Sequence, residues 1–504
     1  MLIATQGNSV ERWDNEADAS ARSGYLSFWL VCAAISFGAV AMLSRQSWLL
    51  PCFATLAYTA ILFNLMKSIR VWRDPFNPLC LICAIAAVRH FVPALFLLNG
   101  VAPPEEVSVF FAAMNLSDDD WRWGHALALF GLLGVFLGWL LVQRSRPNAL
   151  WMSLKFGLAP GVRTAALLGM LAGFAALAVF LGSNASLDVV SSGAFRETTI
   201  QEGTGKFFFM AYLLISGSVL LTCYYLLRSE AWLALLPVLS ASLFYWVLGG
   251  RSRAMISLAA GLLLFWYLYR QRRGWPKITV NYPYVLIAPV AILAVVWVSY
   301  IGAMYRGELG ARAFSEGLTL RGLWEYLEVS VFTDLGQLHS LAGAIAIGPG
   351  VLGGQTFFGA LSWPLNKFIF IPGRSAGIYI VETLVGFLAQ GDKWAVNASL
   401  VGDAYLNFGL FGVVVVMTLY GAIVKALYLS FRIGRLHAAL YVLAFIHALQ
   451  MMWASFEVWP QALTVCLFAL GLIFLGETVL RVRSRTVSPW DGTAANRVEV
   501  ARDP

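Results

Sequence analysis

Long apolar runs separated by short polar connections cover most of this chain, and each run has the length a helix needs to cross a bilayer. The runs fall at Tyr25–Leu43, Trp48–Met66, Leu79–Leu98, Trp123–Val142, Thr164–Leu181, Phe207–Leu227, Trp232–Leu248, Ala254–Tyr269, Val285–Ile301, Ala404–Leu427, Ala438–Ser455 and Ala462–Leu480. They predict an all-α polytopic membrane protein with about twelve transmembrane helices. The two halves of the chain share hydropathy only, with no internal repeat.

Polar residues concentrate in three connections that are predicted to lie on one side: Asn99–Arg122, Gly182–Lys206 and Gly302–Asp403. Long ordered loops tend to carry function, so the third is the expected home of the active site. Within it Leu323–Phe332 has the alternation of an amphipathic helix, and Gly348-Pro349-Gly350 and Gly353-Gly354 mark turns. The stretches Phe357–Trp363 and Lys367–Pro372 are apolar and aromatic, suited to a lipid tail or a sugar face.

Orientation follows from the basic residues. Lys67, Arg70 and Arg73, then Arg144, Arg146, Lys155 and Arg163, then Arg270, Arg272, Arg273 and Lys277 occupy alternate connections, and Arg432, Arg435 and Arg481 to Arg485 continue the series. The positive-inside rule puts these connections and both termini in the cytoplasm and the loop of about 302–403 outside. The expected organisation is a cytoplasmic segment 1–24, one transmembrane domain 25–481 and a disordered cytoplasmic tail 482–504. The net charge of +8 is spread over these short loops, which argues against a nucleic-acid surface. The six cysteines lie in apolar spans and read as packing residues, and no outer segment offers a metal-ligand cluster, so neither metal nor cofactor is expected.

Against this background Arg251 and Arg253 stand out, in Gly249-Gly250-Arg251-Ser252-Arg253 at the outer end of a span. A helix N-terminus repels cations, and short outer loops are normally poor in Arg. Two guanidiniums beside free backbone N–H groups suit phosphate or pyrophosphate, hence a phosphorylated lipid. Arg196 and Arg306, in the outer connections, and Arg374 are further candidates to bind that anion. Arg89, beside His90 near the middle of Leu79–Leu98, calls for an interior or watery setting with a functional partner, a structural ion pair, or a span shifted so that it lies nearer an interface.

The plan of spans with a large late outer loop, Gly250-Arg251-Ser252-Arg253 opening a helix, Ile371-Pro372-Gly373-Arg374, and Gly402-Asp403-Ala404-Tyr405-Leu406-Asn407-Phe408-Gly409-Leu410-Phe411-Gly412 together resemble the Wzy-type oligosaccharide repeat unit polymerases of bacteria. The last segment is similar to that family's acidic-x-Tyr-x-Asn-Phe-Gly-x-x-Gly pattern, with Asp403 where many relatives place Glu. The resemblance implies a metal-independent, multispan glycosyltransferase of the bacterial inner membrane. It would move a glycan from undecaprenyl pyrophosphate onto a newly flipped lipid-linked repeat unit at the periplasmic face, for O-antigen or exopolysaccharide. A chain-length regulator and a flippase are its expected partners. In that chemistry Arg251 and Arg253 neutralise the leaving pyrophosphate, and a carboxylate, Asp403 first and Glu382 second, orients or deprotonates the attacking hydroxyl. Tyr405 and Asn407 are expected to contact substrate. Asp403 has a second reading as the N-cap of its helix. An O-antigen ligase shares the plan but typically has a His-Asn pair in the large loop, where this chain has His339-Ser340. A lipid-linked oligosaccharide flippase or other transporter, and a structural partner of the assembly machinery, are the remaining alternatives.

The orientation has a direct test. In intact cells Lys393→Cys is expected to react with an impermeant thiol reagent and Arg272→Cys to stay protected; the opposite result would invert the topology.

Overall fold

The computed structural model describes residues 77–86, 89–90, 93, 114–142, 160–184, 205–228, 230–247, 251–272, 319, 321–324, 326, 338–362, 375–385, 397–432 and 436–486. Their regular structure is helical throughout: α1 (Pro78–Ala86), α2 (Asp118–Leu141), α3 (Pro160–Asn184), α4 (Gly205–Met210), α5 (Tyr212–Leu227), α6 (Ala231–Val247), α7 (Arg251–Arg272), α8 (Leu338–Ile347), α9 (Gln355–Ser362), α10 (Ala376–Leu384), α11 (Ser399–Arg432), α12 (Ala438–Ala454), a 3-10 turn (Phe456–Val458) and α13 (Trp459–Thr486). Four stretches among the described residues, Asp118–Leu141, Gly161–Gly182, Ser399–Phe431 and Phe456–Thr478, are long and apolar enough to cross a membrane. The expected spans Tyr25–Leu43, Trp48–Met66 and Val285–Ile301 lie outside the described residues, as does most of Leu323–Phe332.

Several boundaries differ from the apolar pattern, each for a local reason. Helix α2 starts five residues before Trp123 because Ser117 closes a capping box: its Oγ accepts the Asp120 N–H at 3.2 Å, and Asp120 Oδ2 accepts the Ser117 N–H at 2.8 Å. Asp118, Asp119 and Asp120 therefore form a first turn that suits the positive end of the helix dipole. The run expected as one span at Phe207–Leu227 is interrupted at Ala211, and the Tyr245 hydroxyl donates to the Ala211 carbonyl at 2.8 Å.

The described residues divide into two compact units. The first holds α1, α2, α8 to α11, the rest of α12 from Ala444, the 3-10 turn and the start of α13. The second holds α3 to α7, the start of α12 and α13 from Leu463. Small residues let its helices approach: Gly173 meets Leu214, Gly217 meets Ala166 and Met170, and Gly476 meets Val162. Side-chain hydroxyls add hydrogen bonds, from Ser216 to the Val465 carbonyl at 2.9 Å and from Thr222 to the Ala234 carbonyl at 2.7 Å.

In the first unit α2 and α11 form the main contact, and its geometry shows that α11 is not one straight rod. Gly131 of α2 packs on Val401, while Gly134, less than one turn away, packs on Met417 and Val414. A straight helix would hold Val401 and Met417 about 24 Å apart at 1.5 Å per residue. The chain doubles back at Gly409, whose φ of 69° and ψ of −165° are essentially a glycine conformation. Residues 399–408 form a short leg, and residues 410–432 a long leg of about 33 Å, enough to span the hydrocarbon core. The expected span Ala404–Leu427 is corrected accordingly: its first residues belong to the short leg. Beyond the reversal Gly138 passes against the Thr418 carbonyl and the Ala422 backbone, and Gly421 against Val135.

This packing leaves no room for a side chain. Gly138→Val overlaps the Thr418 carbonyl and is expected to abolish monodisperse, folded protein in detergent, or to lower its stability by about 1–3 kcal/mol or more. Gly182→Ala, which meets nothing within 4 Å, should leave the thermal midpoint unchanged.

Candidate functional site

The sequence motif 402–412 occupies the short leg and tip of the α11 hairpin. Helix α11 begins at Ser399, whose Oγ accepts the Gly402 N–H at 3.2 Å. Asp403 therefore lies inside the helix, and its reading as an N-cap is wrong: the cap role falls to Ser399 because the helix starts a full turn earlier than the apolar run. The Asp403 side chain is completely buried. Its Oδ1 accepts from Asn407 Nδ2 at 2.8 Å and its Oδ2 from the Phe456 N–H at 3.1 Å, which ties the short leg to the 3-10 turn ahead of α13. Asn407 is buried too, and links onward: its Nδ2 donates to Thr356 Oγ1 at 3.2 Å and to the Asp403 carbonyl at 2.7 Å, while its Oδ1 accepts the Thr356 N–H at 3.4 Å.

Beside the reversal at Gly409, two carbonyls of the short leg are met by another part of the chain. In a continuous helix those of Tyr405 and Leu406 would accept from residues 409 and 410. Here they accept from Gly350 at 3.1 Å and Leu352 at 2.9 Å. The turns expected at Gly348-Pro349-Gly350 and Gly353-Gly354 exist, and these glycines hold positive φ values that aim the donors at the hairpin. Aromatic contacts close the same corner: Phe357 lies 5.3 Å from Phe408 and stacks at 4.5 Å on Phe456, which stacks on Trp459. Gly412 passes so close to the Phe408 side chain that a Cβ there would overlap it.

A carboxylate that the sequence reading passed over completes the corner. Glu457 follows Phe456 directly, close enough for its charge to act on Asp403, and its Oε1 accepts the Ala376 N–H at 2.8 Å. Ala376 opens α10, where Ser375 Oγ also accepts the Ile378 N–H, so Glu457 sits at a helix N-terminus that favours an anion. Glu382 lies on the exposed last turns of the same helix. Glu457 was detectable in the sequence as the one acidic residue between Ala438 and Gly476.

Arg89 belongs to the same unit. Its guanidinium lies 5.7 Å from the centroid of Trp453, three residues before Phe456, so it reaches the end of α12 that carries the corner. Arg89 and His90 form a π-type turn, a bulge frequent at functional sites, and the His125 side chain hydrogen-bonds the His90 backbone. His90 and His125 are both almost completely buried, and His90 Nδ1 has no hydrogen-bond partner among the described residues.

Arg251 and Arg253 open α7 in the second unit, so both occupy the first turn of a helix, as the apolar pattern required. Arg196, Arg306 and Arg374 lie outside the described residues. The structure thus brings together Asp403, Tyr405 and Asn407, with Glu457 and Thr356 added, while Arg89 lies against Trp453, three residues before the corner's Phe456. A fully buried Asp403 with both oxygens engaged positions the hairpin, while Glu457 and Tyr405 are the polar groups of this corner with side-chain surface exposed.

If this network holds the hairpin, breaking it lowers stability. Asn407→Ala strands buried polar partners at a cost of about 1–3 kcal/mol, and Gly409→Ala forces an alanine into a glycine conformation at a similar cost. Both are expected to lower the thermal midpoint in detergent relative to Gly471→Ala, which meets open space. Wild-type midpoints in both variants would show that the motif does not hold the hairpin.

Comparison with family models, with curated proteins and with solved structures returns no match.

Proposed function

We propose that this protein is a polymerase of polyprenyl-pyrophosphate-linked oligosaccharide repeat units, acting at the periplasmic face of the bacterial inner membrane within a bundle of about twelve spans. The observation that carries the reading is the start of α7 at Arg251. Two arginines in the first turn of an apolar helix stand where the dipole is positive and backbone N–H groups lack helical acceptors. Such a turn is unfavourable by itself and becomes favourable with a bidentate anion across it. Pyrophosphate is that anion when it leaves the donor glycan, and fixed guanidiniums stabilise the negative charge it develops.

The corner around Asp403 supports the reading from another direction. A motif shared in outline with the repeat unit polymerases supplies the residues of a reversing hairpin, with Asn407 bonded to Asp403 and Gly409 at its tip. Glu457 is the carboxylate proposed to orient or deprotonate the acceptor hydroxyl, with the buried Asp403 holding the hairpin beside it and Glu382 as the outlying candidate.

One observation favours a second reading. A helix that doubles back in an apolar bundle, with a half-buried Arg89 beside the buried His90 in the same unit, is also the architecture of transporters that bind substrate at broken helices. A lipid-linked oligosaccharide flippase would move repeat units without joining them.

Purified protein supplied with lipid-linked repeat units separates the two, because only a polymerase yields a ladder of longer lipid-linked products. Arg251→Ala and Arg253→Ala, matched to wild type in level and membrane insertion, are expected to reduce polymerisation roughly 100- to 1,000-fold. Arg253→Lys should restore little of it, since a point charge lacks the planar two-pronged contact. Normal chain length in both alanine variants would remove the arginines from the site. Long lipid-linked chains that fail to reach the surface glycolipid would instead identify a ligase.

A further inference from the structure

Tyr405, the motif residue between Asp403 and Asn407, lines a partly open cleft of about 340 Å³ together with Trp123, Leu127 and Phe130 of α2, Ile345 of α8 and Leu410 at the hairpin tip. The lining is apolar except for the polar tips of Tyr405 and Trp123. Its size is at the small end of cavities that enclose a ligand, enough for a stretch of chain rather than a whole lipid.

Depth and chemistry narrow the occupant. Trp123 and Phe130 lie about 8 and 18 Å along α2 from Asp118 at 1.5 Å per residue. The acidic first turn belongs at the membrane surface, so the cleft spans hydrocarbon depth, where a hydrated sugar would find few polar partners beyond one phenol and one indole N–H. Trp123, 40% exposed, and the half-buried Tyr405 stand as aromatic side chains with polar tips, the pair of residue types that marks the interface level. Leu410, 44% exposed, and Phe411, 80% exposed, extend the apolar surface from the cleft onto the outside of the hairpin. The backbone of Tyr405 is fixed by its bond from Gly350, so one wall of the cleft is continuous with the polar corner. A ligand bound there has a hydrocarbon chain on one side and reactive polar groups on the other.

The geometry points to this cleft as the seat of the proximal isoprene units of the polyprenyl carrier. The identity of the lipid rests on the polymerase reading; the presence of a chain-binding seat rests on the cleft. The carrier chain enters sideways from the bilayer past Leu410 and Phe411, and its first units lie against Leu127, Phe130 and Ile345. Its phosphate end then emerges beside Tyr405 at the motif. The hairpin and α8 thus hold the lipid in register with the polar corner, a positioning role separate from the chemical step.

The test is photolabelling of the full-length protein in detergent with an undecaprenyl phosphate analogue carrying a diazirine in its proximal isoprene units. Crosslinks are expected on residues 123–130 of α2 and on Ile345 or Leu410, suppressed by unlabelled undecaprenyl phosphate and not by the same excess of phosphatidylglycerol. Ile345→Trp, which places an indole in the cleft, should lower this labelling about tenfold, a loss of one decade in affinity. Ile345→Val should retain it. Thermal midpoints are matched first, and Leu410→Trp at the exposed rim serves as the blocking variant if Ile345→Trp does not fold. Equal suppression by phosphatidylglycerol, labelling confined to other segments, or undiminished labelling in a folded blocking variant would each overturn the proposal. The same measurement on Arg253→Ala separates the two readings. Retained cleft labelling with the ladder lost supports both, cleft labelling absent already in wild type while Arg253→Ala loses its ladder rejects the cleft alone, and retained labelling with a normal ladder in the variant rejects the arginine site alone.

Discussion

A helix that doubles back inside an apolar bundle must replace the hydrogen bonds that its own continuation would have made, and this requirement organises the first unit. The carbonyls of Tyr405 and Leu406, just ahead of the turn at Gly409, meet the N–H groups of Gly350 and Leu352. In water such groups would be hydrated at little cost; in hydrocarbon each costs several kcal/mol unless another part of the chain supplies a partner. The glycine-rich turn between α8 and α9 is that partner. Its positive φ values have a reason outside the turn itself.

The same logic explains the side chains of the motif. Asp403 and Asn407 are spaced four apart on the short leg, on one face of the helix, and both are buried. Each needs partners from outside its own helix, and Thr356 and the Phe456 N–H provide them. The network therefore joins three stretches distant in sequence: the hairpin, the start of α9 and the turn before α13. Buried polar groups of this kind reward only a geometry in which all of them are satisfied, which favours one arrangement of the helices. Glu457, bonded at the start of α10, adds a fourth stretch.

Between α2 and α11 the opposite strategy operates. Helices in lipid gain little from apolar burial against each other, because lipid tails are as apolar as leucine; close approach through small residues and dispersion contacts replaces it. Gly131, Gly134 and Gly138 on α2 and Gly421 on α11 give that approach on both legs of the hairpin. Lys425 reinforces it at the far end by donating to the Trp139 carbonyl, capping the last turn of α2 from the neighbouring helix. The polar corner at one end and this tight crossing along the shaft set the position of the hairpin tip, and with it the cleft that Tyr405 lines.

The sequence by itself determined the long apolar helices among the described residues, though not α8 to α10 inside the expected outer loop, because apolar periodicity and length respond to the solvent that surrounds a segment and need no knowledge of its neighbours. It located the first turn of α7 at Arg251 and the glycine turns at 348–354 for the same reason: a helix start after two glycines and a glycine-rich loop are local events. It also marked Asp403, Tyr405 and Asn407 as a group. Only the tertiary structure decided what that group does. The reversal at Gly409 was hidden inside one apolar run, since a single glycine is compatible with a straight helix until contacts on both legs demand a turn. The fate of Asp403 was equally hidden, because Phe456, which donates to it, is 53 residues away and Thr356, which holds its neighbour Asn407, is 51 residues from Asn407, and hydrogen bonds across such separations leave no periodic trace. Glu457 acquired its place only when the start of α10 came within 2.8 Å of it. Local pattern fixes what a segment is, and long-range satisfaction of buried polar groups fixes where it goes.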